Sequence, residues 1–77
     1  MEAKDAAKIA KDYLLSLTER KIYNLIVEEV EIKDNSWLIT LGFNYVPKSP
    51  YALRIYKSFE VHMETGEVLS MKMREVN

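Results

Sequence analysis

The chain has 77 residues, no cysteine, two glycines and two prolines, and eleven Lys+Arg stand against twelve Asp+Glu for a formal net charge of −1. A disulfide framework and a cysteine zinc site are therefore excluded, and no basic excess exists to drive nonspecific phosphate binding. A hydrophobic content of 48% with 30% charged residues is that of a packed globular chain, and the length predicts a single domain over residues 1–77 with little room for a deep cavity.

Residues 3 to about 20 read as one amphipathic helix. Ala3, Ala6, Ala7, Ala10, Tyr13, Leu14 and Leu17 recur at three- and four-residue spacing, with Ile9 on the shoulder. Alanines on the buried stripe let the helix lie close to a flat partner, which a sheet supplies. Arg20 and Lys21 would suit the negative end of the helix dipole.

Beyond Tyr23-Asn24 the period changes to two. Val30 and Ile32 alternate with Glu29, Glu31 and Lys33, Asp34-Asn35 marks a turn, and Trp37, Ile39, Leu41, Phe43 and Tyr45 form an odd-numbered apolar face. A two-residue turn there pairs Ile32 with Trp37, Val30 with Ile39 and Ile26 with Phe43. Glu28 would then face inward opposite Leu41, so a bulge is expected near Val27-Glu28. Gly42 is expected to serve the same bend.

Pro47-Lys48-Ser49-Pro50 reads as a connection, since proline cannot donate to a central ladder. A third strand is expected from about Leu53 to Met63, with Leu53, Ile55, Phe59, Val61 and Met63 inward and Lys57 interrupting that face. At Glu64-Thr65-Gly66 a three-residue loop pairs Val61 with Leu69, Phe59 with Met71 and Met63 with Glu67, with Gly66 in the left-handed region. The expected fold class is α+β: one N-terminal helix packed on a four-stranded antiparallel meander, α-β-β-β-β, with one sheet face open.

Catalysis has a thin inventory. His62 is the single histidine and falls in the outward phase with Arg54, Ser58 and Glu60, where no spacing orients a base against a nucleophile. A lone histidine also lacks partners for a metal site. Glu28, Glu29 and Glu31 form a run of carboxylates that a hard cation would suit, but Glu29 and Glu31 alternate with apolar residues as a solvent face does, and Met63, Met71 and Met73 at period two read as core. No catalytic residue, metal or cofactor is assigned. The open face carries Leu38, Val46, Tyr56, Val68 and Val76 among polar residues, with Tyr56 opposite Arg74 and Ser58 opposite Lys72. Tyrosine flanked by arginine and lysine suits a protein contact, so Tyr56, Arg54, Arg74 and Lys72 are the expected partner-binding residues. The partner class is a protein; the alternative is a second copy in a homodimer through the same face. Nucleic acid is not expected. The longest apolar runs, such as Leu25-Ile26-Val27, are too short for a membrane span, and Met1-Glu2-Ala3-Lys4-Asp5 lacks an apolar leader, which makes the cytoplasm the default expectation.

The stretches Ala6-Ala7-Lys8-Ile9-Ala10-Lys11-Asp12-Tyr13-Leu14 and Phe59-Glu60-Val61-His62-Met63-Glu64-Thr65-Gly66-Glu67-Val68-Leu69 resemble the helix and the closing hairpin of PepSY-like domains. His62-Met63 stand where an aspartate is usual in that family. The strand Asn35-Ser36-Trp37-Leu38-Ile39 and the Thr-Gly hairpin are also similar to a bacterial toxin-immunity family, and the tryptophan strand with a proline connection is similar to a gas-vesicle accessory family. Each resemblance implies a non-enzymatic binding role, of inhibitor or immunity type in the first two. PepSY-like domains are generally exported, an expectation this amino terminus does not share.

Overall fold

In a computed structural model, which describes residues 1–47 and 53–74, a single helix α1 (Ala3–Leu17) precedes four strands: β1 (Tyr23–Lys33), β2 (Ser36–Asn44), β3 (Ile55–His62) and β4 (Val68–Met73). The strands form one antiparallel sheet in the order β1-β2-β3-β4, so the α+β meander expected from periodicity is the fold. α1 begins where the Glu2 N–H donates to the Asp5 carboxylate at 2.9 Å. It stops at Leu17 rather than near residue 20, because Thr18 turns extended (φ −88°, ψ 137°) and its hydroxyl bonds the Arg20 N–H. Arg20 and Lys21 consequently lie past the helix. The Arg20 guanidinium instead sits 3.7 Å above the Tyr45 ring.

The helix runs the length of the sheet. At its start the Trp37 indole N–H donates to the Met1 carbonyl at 3.3 Å, and at its end Arg20 reaches Tyr45. Ala6, Ala10 and Leu14 press onto Ile39, Leu41, Phe43, Phe59 and Val61, and all of these are buried. The alanines keep the helix low on the sheet, and Tyr13 meets Phe59 edge-on at 6.4 Å. α1 lies over β2, β3 and β4, leaving much of β1 uncovered on that side. Leu17, expected inward, is exposed at the helix end.

The register confirms Ile32↔Trp37 and Val30↔Ile39, and a shift between Val27 and Glu29 is the expected bulge. Its consequence is a phase flip. Val27 now faces Leu41 and Ile26 faces Gly42, so the expected Ile26–Phe43 pair does not form and Ile26 is 51% exposed. Leu25 and Val27 pack against the core instead. β3 begins at Ile55; Leu53, expected inward, precedes the strand and is 86% exposed. Residues 48–50 of the proline connection, and Val76, lie outside the described residues.

Phe59↔Met71 pairs as expected, but the last hairpin closes differently. His62 N–H bonds the Glu67 carbonyl and Gly66 N–H the His62 carbonyl, both at 2.9 Å, which makes Met63–Gly66 a four-residue loop. Val61 therefore opposes Val68, not Leu69, and a bulge in β4 takes up the extra residue. Val68, expected on the open face, packs on the core, while Leu69 turns out. Gly66 has φ +74°, as the turn requires.

Candidate functional site

The face of the sheet opposite α1 is built from the even-numbered residues of β2 and β3: Thr40 opposes Ser58, Gly42 opposes Tyr56 and Leu38 opposes Glu60. Ser58 opposes Lys72, and the Arg74 N–H bonds the Tyr56 carbonyl at 2.9 Å, so the expected neighbours of Tyr56 and Ser58 are in place. Period-two alternation alone delivers this much.

The bulge in β1 delivers the rest. It turns Glu28 out, where Arg54 Nη2 donates to its Oε1 at 3.2 Å. This pair rests directly on the backbone of Gly42. A Cβ at that position would stand 2.8 Å from Glu28 Cγ and 3.0 Å from Arg54 Nη2. Gly42 is thus a site of close approach by side chains, beyond any bend it serves. Arg54 Nη1 also donates to Asn44 Oδ1 at 3.0 Å, and Asn44 Nδ2 donates to the Leu53 carbonyl at 3.2 Å, which anchors the segment entering β3.

One strand position further up, Arg74 Nη1 donates to Glu29 Oε1 at 2.8 Å and to Thr40 Oγ1 at 3.0 Å. The Thr40 and Ser58 hydroxyls share a further bond of 3.0 Å. The two arginine–glutamate pairs flank a shallow cleft of about 190 Å³ lined by Glu28, Glu29, Thr40, Tyr56 and Arg74. The hydrogen bond from Arg74 holds the Glu29 carboxyl below the ordinary glutamate value, and the same pair raises Arg74. Glu31, the next residue on that face of β1, is pushed upward by its contact with Glu29 and by the repulsion between them.

Of the four residues expected to bind a partner, Tyr56 and Arg74 line the cleft, Arg54 braces one wall through Glu28, and Lys72 stands on the same face opposite Ser58. Glu28, Glu29 and Thr40 escaped the sequence reading as members of this group. The signal for Glu28 was its violation of the strand phase, which marked the bulge without showing that an arginine would meet it. His62 plays a structural part, since its Nδ1 accepts the N–H groups of Glu64 (3.2 Å) and Thr65 (3.3 Å) and so holds the hairpin loop. Among the described residues no group of three or more His, Cys, Asp and Glu side chains is placed to hold a metal ion, and no helix is long and apolar enough to cross a membrane.

Comparison of the chain with family models, curated proteins and solved structures finds no match.

Proposed function

We propose that this chain is a non-enzymatic module of the inhibitor or immunity type, which binds another protein through the sheet face opposite α1. Tyr56 is the anchor, with Arg54, Arg74 and Lys72 around it. The supporting observation is the cleft itself: Tyr56 and Arg74 line it together, and Arg54 and Arg74 are already paired with its two glutamates, Glu28 and Glu29. Tyrosine and arginine dominate the binding energy of protein interfaces. Arginines fixed before the encounter lose less side-chain entropy when a partner arrives. Among the described residues no helix lies on this face, so a partner can lie flat on it. The resemblance to PepSY-like domains points to the same class of role.

The test begins with a photoreactive phenylalanine analogue at position 56 to capture the partner from the native source. Calorimetry against the purified partner then measures the effect of single substitutions. Tyr56→Ala should weaken the complex by about 2 kcal/mol or more, roughly thirtyfold in Kd. Lys8→Ala on the solvent side of α1 should leave it unchanged. Equal affinities for wild type and Tyr56→Ala would reject the assignment of this face.

A further inference from the structure

β1 is an edge strand, and among the described residues no segment pairs with its outer side. Its last residues, Val30 to Lys33, run without irregularity between the bulge at Val27–Glu29 and the turn at Asp34. Because α1 lies over β2, β3 and β4, the helix-side residues of this segment stay uncovered: Val30 is 42% and Ile32 65% exposed. The tight turn makes Lys33 and Ser36 the closing hydrogen-bonded pair. Strand alternation then turns the N–H and C=O of Val30 and Ile32 toward the open edge, and those of Glu31 and Lys33 toward β2. On the other face Glu31 and Lys33 flank Ile32 with opposite charges.

We propose that this edge pairs with the same edge of a second copy, antiparallel, about a two-fold axis through Ile32. In that register Ile32 faces Ile32 of the second copy as a hydrogen-bonded pair, and its exposed side chain gains an apolar neighbour. Glu31 faces Lys33 of the second copy, and the symmetry makes this opposite-charge pair twice. Other registers that keep the twofold on this segment are worse. An axis through Val30 sets Glu31 against Glu29, and an axis through Glu31 sets that carboxylate against itself; like charges directly opposite oppose pairing. Charge complementarity therefore selects both the occupant and the register. The bulge below and the turn above limit the contact to a short segment. An isologous contact of this kind closes on itself as a dimer and does not propagate into a fibre. It goes beyond the proposed partner-binding face, which stays open and becomes continuous across the two sheets.

Sedimentation velocity over a concentration series tests this, with circular dichroism as the check on folding. Wild type should show a reversible monomer–dimer equilibrium. Glu31→Lys and Lys33→Glu should each weaken it by about tenfold, since both turn two attractive cross-strand pairs into repulsive ones. The double variant Glu31→Lys/Lys33→Glu should restore it, and Ile32→Asp should abolish it. All these positions are exposed, so the variants should fold. A wild type that remains monomeric up to about 1 mM, a contact at the limit of weak association, overturns the proposal. So does a dimer indifferent to the charge exchange, and one dissolved by Tyr56→Ala would place the contact on the other surface.

Discussion

The two glycines show how differently one residue type can be required. Gly66 is needed for its backbone, with φ +74°, and an added Cβ would also stand 3.0 Å from Met1 Cε and 3.1 Å from Ile9 Cδ1. Gly66→Val should cost about 1–3 kcal/mol by forcing a β-branched residue into the left-handed region, read as a fall in the urea midpoint at constant slope. Gly42 is needed for what lies on it. Gly42→Ala should separate Glu28 from Arg54 and remove the salt sensitivity of that contact, while changing stability by no more than about 1 kcal/mol, as a partly screened pair allows. Protonation offers a third check at this scale. By NMR titration Glu29 should titrate below, and Glu31 above, the ordinary glutamate value, and Arg74→Gln should move Glu29 upward by removing the hydrogen bond that holds it down. The signs oppose each other in stability. The lowered Glu29 contributes above its unfolded value and loses that contribution as pH falls through its folded value. The raised Glu31 favours the folded state only when protonated, and that contribution fades as pH rises through its own folded value. Glu31→Gln should therefore leave a steeper acid loss than wild type.

At the scale of elements, strand phase was legible and its interruptions were only half so. The odd-numbered face of β2 reads directly as Trp37, Ile39, Leu41 and Phe43, because a strand buried on one side must alternate. A misplaced Glu28 announced a bulge, yet the local sequence did not show that the flip would expose Ile26 and turn Leu25 and Val27, half-buried, against the core. The closing hairpin behaved the same way. Thr65-Gly66 marks a turn, but loops of three and four residues both accept a left-handed glycine, and His62 decides by accepting the Glu64 and Thr65 N–H groups. His62→Ala should loosen the loop by about 0.5–1.5 kcal/mol, the scale of one hydrogen bond, visible as faster amide exchange at Glu64 and Thr65 than at β2. The end of α1 is not marked locally, because Thr18, Glu19 and Arg20 carry no strong stop signal. The extended turn at Thr18 comes from a hydroxyl bond to the backbone at Arg20.

For the molecule as a whole, one helix on four strands leaves the core narrow. Phe43 and Phe59 are its largest fully buried side chains, on adjacent strands beneath α1. Phe59→Ala should cost about 3–5 kcal/mol, a large share of the stability of a domain this size, and thermal melting would show whether the chain still folds. A substitution on the face bearing Tyr56 should leave the melting temperature nearly unchanged, since that face contributes polar contacts and the core lies on the other side. Elongation follows from the same economy of elements: the principal extents are 39 × 27 × 18 Å, and a single helix does not span the sheet's width. The uncovered corner of β1 is the remainder.

The α+β meander, the inward odd-numbered face of β2, the need for a left-handed glycine at Gly66 and the shared face of Tyr56, Arg74, Ser58 and Lys72 are all written in the order of residues along the chain. Each depends on periodicity or on a single backbone requirement, and both are local properties. Tertiary structure alone decided that Glu28 and Glu29 meet Arg54 and Arg74, that Gly42 carries one of those pairs, and that α1 leaves Val30 and Ile32 bare. Those outcomes join residues up to 45 positions apart, and a bulge or a helix placement changes them without altering any local pattern.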